Sequence, residues 1–346
     1  MGELDPDLVV FDRFLAEEAY ASRVREIKPS AMRVLDMQDM HSLRRHRETN
    51  PFPSIPSPST STSLVRELAS INRSDLSIVC SSVEKALLEM EYKIPGEKLQ
   101  MGSFFTSPID KGYDNNHSFN QRKDFISIGG FKHPPNVDSA VWLVEDIWPR
   151  ISKKIPDAVL NIYGAYPTRK ISSLHSPSDN VHVHGFVPSL EEPFLKSRVL
   201  LAPLRFGAGV KGKIIDAFRF GCPVVTTKIG SEGIGKENEG WGGAVTSNID
   251  CAEEFADAAV ALYNDRDRYE SSRASARKIL VREFDKTRNL DAIVEAIQGT
   301  YEDLERCRER DVFGNILWHS SNRATEYFSR YIELKEKNRR EEVDQT

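Results

Sequence analysis

The residues best suited to chemistry lie in one glycine-rich stretch between Leu201 and Val225. The stretch begins with a short apolar run, and an amphipathic helical pattern follows the glycines. Glycines let backbone N–H groups approach a ligand without a Cβ atom in the way, and the start of a helix attracts an anion through its unpaired N–H groups and its dipole. The stretch therefore predicts a diphosphate site, whose ligands we expect to be Gly207, Gly209, Val210, Lys211 and Lys213.

Asp216 follows one turn into the same helix. A carboxylate there can accept two hydrogen bonds from a ribose diol, as acidic residues do in dinucleotide-binding folds, so we predict that Asp216 binds ribose. Gly221 and Pro223 stand where the helix is expected to end. The stretch matches neither the P-loop nor the G-x-G-x-x-G fingerprint. Glycine-rich turns between a strand and a helix also occur in α/β proteins that bind no phosphate.

Strands and helices alternate around this stretch, which specifies parallel, doubly wound sheets. The predicted strands of the first half are Leu8–Phe11, Met32–Leu35 and Leu76–Cys80. Those of the second half are Phe125–Ile128, Ala158–Tyr163, Val181–His184, Val199–Pro203 and Pro223–Thr227. Ligands of such sheets sit beyond the carboxyl ends of the strands. The glycines that follow several of these strands therefore mark the expected site.

Several of these pieces occur in the same order in a known family. They are SIGGFKHPPN (127–136), LNIYGA (160–165), HGFV (184–187), the stretch 201–225 and TKIGSEG (227–233). Together they resemble the C-terminal domain of retaining glycosyltransferases of family 4, which have the GT-B fold of two Rossmann-like domains with parallel sheets. Shorter stretches resemble the acceptor domain and the tail of a bacterial-type branch of that family: 10–14, 35–45, 313–319 and 327–333.

The resemblance implies transfer of a sugar from a nucleotide-diphosphate sugar to an acceptor, with retention at the anomeric carbon. This is a hexosyltransferase-type reaction that needs no essential metal and no other cofactor. The resemblance adds Gly129, Gly130 and Lys132 to the diphosphate site, and Phe186 and Val187 as the lining of the nucleobase. It also implies that His41 contacts the donor sugar as the candidate catalytic residue. The alternative for His41 is an exposed histidine at the start of a helix.

The sequence departs from the family pattern in three places. Many members carry two glutamates eight residues apart, where this chain has Ala208 and Asp216. The Gly-Arg pair of the family's first loop reads Gly129-Gly130, so Lys132 is the nearest cation. The first strand found resembles a middle strand, so we expect about a hundred residues, the scale of a small domain, to be missing from the acceptor domain. Whether a chain truncated in this way is active stays open.

These patterns divide the chain into three parts. We predict a partial, acceptor-side Rossmann-like domain at 1–115, a nucleotide-sugar-binding Rossmann-like domain at 116–290 and a helical tail at 291–346. The segment Lys111–Ser118 is polar and rich in Gly and Asn, which is typical of a linker. The basic run Arg44–Arg47 is interpreted as a solvated helix face.

Composition excludes several classes of protein. A formal net charge of −5 over 346 residues does not indicate nucleic-acid binding, and no apolar run approaches the ~20 residues of a membrane span. Four scattered cysteines without a Cys-x-x-Cys pair argue against a disulfide framework and against zinc. We therefore expect a reduced, cytoplasmic protein without a metal, with peripheral association with a membrane left open.

Two other functions remain alternatives. One is a non-catalytic or degenerate protein that binds a nucleotide sugar without a full acceptor domain. The other is a nucleotide-sugar epimerase, which should supply paired carboxylates across the cleft. The sequence does not identify the donor base, the sugar or the acceptor, which can be a glycan, a lipid or a small molecule.

Overall fold

The computed structural model describes residues 5–50, 52–108, 110–114, 117–236 and 239–320, together with Tyr327, Tyr331, Leu334 and Lys335. Contacts between Cα atoms divide the chain into two compact units. The first unit comprises residues 1–42, 56–102 and 291–346, and the second comprises residues 43–55 and 103–290.

The first unit is built on a four-stranded parallel sheet in the order β1-β2-β3-β4. The strands are β1 Leu8–Asp12, β2 Met32–Asp36, β3 Leu76–Val79 and β4 Leu99–Met101. The helices that fall between them in the sequence are α1 Arg13–Ile27, α2 His41–Thr49, α3 Thr62–Arg73 and α4 Ser82–Met90. Strand β2 is buried on both faces, as expected inside a parallel sheet, and it carries the buried Arg33 between its apolar residues. Strand β4 was not predicted, because three residues are too few to show a period.

The second unit contains a six-stranded parallel sheet in the order β10-β9-β8-β5-β6-β7. Its strands are β5 Lys123–Ile128, β6 Leu160–Tyr163, β7 Val181–Gly185, β8 Ser197–Ala202, β9 Val224–Thr227 and β10 Gly243–Thr246. Its helices are α5 Pro134–Trp142, α6 Trp148–Lys154, α7 Arg169–Ser172, α8 Glu191–Lys196, α9 Gly212–Arg219, α10 Lys228–Ser231, α11 Ala252–Asn264 and α12 Arg266–Glu283.

The order of the six strands places a topological switch between β5 and β8. From β5 the chain builds outward through β6 and β7, then returns to add β8 on the other side of β5. The loops after β5 and β8 therefore leave the sheet in different directions at its carboxyl edge. Open α/β sheets bind ligands in the crevice between such loops. The glycine-rich stretch follows β8, so the topology itself points to this position.

Helix α9 forms where the apolar residues recur at helical spacing. Ile214, Ile215 and Phe218 are buried in the core. The helix ends at Gly221, whose φ of +61° suits a residue without a Cβ atom. The Gly221 N–H donates to Phe218 O at 3.0 Å and the Cys222 N–H donates to Ala217 O at 2.8 Å. This is the Schellman arrangement, and it confirms the helix end expected from the sequence.

Three helices complete the described part of the chain: α13 Lys286–Glu302, α14 Leu304–Arg310 and α15 Val312–Ser320. From residue 291 they are grouped with the first unit rather than forming a separate tail. Arg308 on α14 and Arg33 on β2 both donate to the Asp75 carboxylate, which is 4% exposed. Burial alone would raise the pKa of Asp75, but the hydrogen bonds from Arg308 and Arg33 outweigh it and hold the pKa at about 2.

The segment interpreted as a linker packs on the second unit instead. Arg122 is completely buried. Its guanidinium donates to the carbonyl oxygens of His117 (2.8 Å), Phe194 (3.0 Å), Gly112 (2.8 Å) and Phe220 (2.6 Å). Residues 103–114 are thus grouped with the second unit, and the buried Arg122 supplies the donor that the Gly112 carbonyl needs. Residues 115 and 116 of the proposed linker lie outside the described residues.

Candidate functional site

The loop between β8 and α9 needs its glycines for backbone geometry. Gly207 has a φ of +150° and Gly209 a φ of +67°, both in the region that L side chains rarely adopt. Val210 between Gly209 and Lys211 turns its side chain into the core. The Lys211 ammonium folds back and donates to Gly209 O at 2.5 Å. The predicted diphosphate ligands of this stretch therefore form one compact loop at the switch point, beside the start of α9.

Asn136, which the sequence analysis missed, connects this loop with the loop after β5. Its Oδ1 accepts a hydrogen bond from Lys213 Nζ at 2.7 Å, and its Nδ2 donates to Gly130 O at 3.0 Å. Gly129 allows this approach, because a Cβ atom there would stand 2.8 Å from Asn136 Cβ. The structure thus brings Gly129, Gly130 and Lys213 together. The signal available in the sequence was an amide side chain six residues beyond the Gly129-Gly130 turn, which is too common to single out.

Lys213 has an unusually low pKa for a lysine. Its ammonium is half-buried at the start of α9, and Lys211 is close enough to oppose its charge. Burial, and after it the positive charge of Lys211, lower the pKa of Lys213 to about 7. Asn136 is a neutral partner and does not offset that cost. An anion placed beside Lys213 would do so, which is the property expected of a diphosphate site.

Asp216 lies on the partly exposed side of α9. Its carboxylate is 41% exposed and accepts from Arg219 Nη1 at 3.2 Å. Burial raises the pKa of Asp216, and the nearby Arg219 works in the opposite direction. Its second oxygen remains available for a ribose hydroxyl.

The other residues that the resemblance implies for donor binding are Lys132, Phe186 and Val187. The exposed Lys132 places its ammonium 3.7 Å from the centroid of the Tyr166 ring. The side chain of Phe186 is 71% exposed. Val187 lines a cavity of about 1110 Å³ together with Asn161 and Tyr163. Lys132 thus packs on Tyr166, and Phe186 is largely open to solvent.

His41 belongs to the first unit and is 7% exposed, so the alternative of an exposed histidine is wrong. Its ring packs edge-on against Phe14 at 5.5 Å, and its Nε2 lies 3.4 Å from Asp39 Oδ1. The backbone is held as well, since the N–H groups of His41 and Ser42 donate to the buried Glu67 carboxylate at 2.7 and 2.9 Å. Its proposed contact with a donor sugar stays a prediction.

The interpretation of Arg44–Arg47 as a solvated helix face is wrong for its last residue. Residues 43–55 are grouped with the second unit, and the Arg47 side chain there is 5% exposed. Its guanidinium pairs with Glu232 and donates to Gly207 O at 3.0 Å. An arginine is rarely buried without such a partner. The local sequence does not reveal that the partner stands 185 residues away.

The two histidines of β7 take part in packing. His184 stacks on Tyr163 with ring centroids 4.5 Å apart, and its Nε2 lies 2.8 Å from Asn161 Oδ1. No group of three or more His, Cys, Asp or Glu side chains is placed to hold a metal ion in the described ranges. Among the described helices, none is both long enough and apolar enough to cross a membrane.

The core of the second unit resembles known proteins in sequence. Residues 122–265 match the family model of the group 1 glycosyl transferases. The match runs from β5 to the end of α11 and includes the whole β8–α9 loop. An uncharacterized 44.6 kDa protein in the cps region of Klebsiella pneumoniae is 30% identical over 125 residues. The aligned part covers 32% of this chain and 30% of that protein.

Solved structures share the fold over most of the chain. A mutant of S. aureus TarM, in complex with Fondaparinux, alpha-GlcNAc-glycerol and UDP, has a TM-score of 0.64 at 14% identity, over 85% of this chain and 56% of TarM. Anabaena HepE, in complex with UDP and glucose, has a TM-score of 0.64 at 14% identity, over 84% of this chain and 77% of HepE. Sucrose-phosphate synthase from Thermosynechococcus elongatus has a TM-score of 0.62 at 15% identity, over 87% of this chain and 74% of the synthase chain.

At these identities the likeness concerns the fold alone. The fold class predicted from the sequence, α/β with two parallel sheets of the GT-B type, is confirmed. The chain spans about half the length of TarM and less than a third of the Klebsiella relative.

Proposed function

We propose that this protein is a retaining glycosyltransferase that takes a sugar from a nucleotide-diphosphate sugar. The observation that carries the proposal is the β8–α9 loop, with its half-buried Lys213 at the switch point of the second sheet. The family match of residues 122–265 supports it. TarM and HepE were solved with UDP, so a uridine nucleotide is the donor to test first.

We propose a role for each of the predicted donor residues. The N–H groups of the β8–α9 loop, with Lys211 and Lys213, would stabilise the negative charge that develops on the diphosphate as the sugar leaves. Asp216 would accept hydrogen bonds from the ribose. Phe186 and Val187 would lie along the base, while Gly129, Gly130 and Lys132 complete the diphosphate site. His41 remains our candidate for a contact with the sugar.

Retention needs an explanation, since the sequence offers no evident carboxylate nucleophile. We propose front-side attack, in which the departing phosphate oxygen takes the proton of the acceptor hydroxyl as the new bond forms. The work of the protein is then to stabilise the leaving group, which fixed N–H dipoles and cations do without a metal. The acceptor is a glycan, a lipid or a small molecule.

The proposal is tested by binding and turnover measured on the same protein. We expect isothermal titration calorimetry to show one site for UDP or another nucleoside diphosphate. We also expect the matching nucleotide sugar to be hydrolysed or transferred with retention, as followed by NMR of the anomeric proton. Binding without turnover would favour the non-catalytic alternative. Absence of binding by every nucleoside diphosphate would contradict both readings.

The low pKa of Lys213 predicts that nucleotide binding takes up protons. A bound diphosphate favours the ammonium form and raises its pKa above the value of about 7 in the free protein. Between those two pKa values binding should take up as much as one proton, and affinity should fall by up to about tenfold per pH unit as pH rises. Below pH 7 the group is already charged, and its contribution to binding is fully present.

Calorimetry at pH 8 in buffers of different ionisation enthalpy measures this uptake. The nucleotide is itself fully ionised there, since its last phosphate pKa is about 6. Lys213→Met should abolish the uptake, while the exposed Lys153→Met on α6 should leave it unchanged. An uptake that persists in Lys213→Met would assign the proton to another group.

A further inference from the structure

A buried ion pair contacts the glycine-rich loop of the second unit. Arg47 Nη1 lies 2.7 Å from Glu232 Oε2, and Arg47 Nη2 lies 2.8 Å from Glu232 Oε1. The two side chains are 5% and 13% exposed. A bidentate pair of this kind fixes the plane of the guanidinium as well as its position. The same Nη1 donates to Gly207 O at 3.0 Å, so the pair is anchored to the loop.

The contact at Gly207 sets the direction of a neighbouring N–H group. A trans peptide is planar, and its C=O and N–H bonds point in opposite directions. Because the Gly207 carbonyl points at Arg47, the Ala208 N–H points away from it. The peptide between Gly209 and Val210 is held in the same way. The Gly209 carbonyl accepts a hydrogen bond from the Lys211 ammonium, so the Val210 N–H points away from that ammonium. Two cations thus orient two N–H groups, as in a backbone anion nest.

We propose that Arg47, held by Glu232, is a positioning residue that aims the Ala208 N–H at the diphosphate of the donor. This inference rests on the proposed function. It assigns Arg47 no direct contact with the ligand: the carboxylate of Glu232 neutralises the guanidinium and retains it behind the loop. Glu232 is therefore as important as Arg47. Without the carboxylate, the guanidinium loses its ion-pair partner and the fixed orientation in which it donates to the Gly207 carbonyl.

The decisive variant is Glu232→Gln, which keeps the shape of the side chain and removes its charge. If Arg47 positions the loop, releasing it should weaken UDP affinity by about three- to tenfold, the scale of one hydrogen bond. Arg47→Met should weaken it by a similar factor. If Arg47 instead binds phosphate directly, Glu232→Gln frees a competing cation and UDP affinity rises, which would overturn the proposal.

Calorimetry with UDP on the full chain, paired with thermal unfolding, separates positioning from a purely structural role. The charge swap Arg47→Glu with Glu232→Arg rebuilds the ion pair but leaves no donor for Gly207 O. We expect the swap to recover thermal stability and not UDP affinity, because the donor that holds Gly207 O in the wild type stands at position 47. Recovery of both would make the pair merely structural. Arg45→Met, an exposed arginine on the same helix, is the control and should stay within twofold of the wild type.

Failure of the proposed function and failure of the proposed role of Arg47 give different results in these experiments. A wild-type chain that binds no nucleoside diphosphate removes the proposed function, and this inference with it. A wild-type chain that binds UDP, with equal affinity in Arg47→Met and Glu232→Gln, removes the inference alone.

Discussion

Replacing Lys213 by methionine should slow sugar transfer about 10²–10³-fold. This is the cost of removing one preorganised group that stabilises charge developing in the transition state. Methionine keeps the length and the apolar stem of the side chain, so the loop and α9 should remain folded. The effect should fall more on kcat than on the KM for the nucleotide sugar, because the diphosphate gains charge as the glycosidic bond breaks.

Steady-state kinetics with a matched variant checks this expectation. Lys153→Met removes an exposed ammonium from the same unit and should leave both constants within about twofold of the wild type, consistent with the small effect of most surface changes. If Lys213→Met raised KM and left kcat unchanged, the side chain would bind the ground state and the transition state equally. Its role in leaving-group stabilisation would then be wrong.

Arg122→Met should lower the free energy of unfolding by about 4 kcal/mol or more. The guanidinium satisfies four backbone carbonyls in a site with no solvent exposure. The Gly112 carbonyl keeps a second donor in Arg273, but the other three carbonyls lose theirs, since methionine offers none. Each buried carbonyl left without a donor costs about 1–3 kcal/mol. The expectation does not depend on the proposed activity, because it concerns only how residues 103–122 are fastened to the second unit.

Urea unfolding followed by circular dichroism measures the loss. Lys123→Met, at the exposed neighbouring position, is the matched control and should change stability by less than about 0.5 kcal/mol. A loss below about 1 kcal/mol for Arg122→Met would mean that water or other donors reach the four carbonyls. The segment would then be held less tightly than the hydrogen bonds indicate.

The sequence predicts those parts of the molecule whose signals are local. The strand, glycines and helix of the β8–α9 junction follow one another without interruption, so period and turn chemistry identify them together. Strand β10 was missed, because Gly243–Thr246 is short and follows a glycine-rich approach that obscures the apolar run. Between β5 and β6 the chain forms two helices, α5 and α6, joined by a wider turn at Leu143–Ile147, and counting apolar spacings in the sequence does not resolve such a turn.

Long-range pairs could not be predicted in this way. Asn136 and Lys213 are 77 residues apart, and Arg47 and Glu232 are 185 apart. Each residue alone fits an exposed surface as well as a buried contact. What decides its burial is the strand order, which brings distant loops to one edge of the sheet. The packing of the predicted linker segment on the second unit has the same cause. The residues near Gly112 do not indicate that two buried arginines, Arg122 and Arg273, donate to its carbonyl.

The interleaved path of the chain has a consequence for its synthesis. The first unit uses Lys98 to hold Asp311 and Asp75 to hold Arg308, so its contacts span more than two hundred residues. The residues grouped into the second unit all lie before residue 291. On a ribosome, which releases the chain from its N-terminus, the second unit can therefore close first. The strands of the first unit then emerge before most of the second unit and its helices α13 to α15 after it, although domains generally fold in the order in which they emerge.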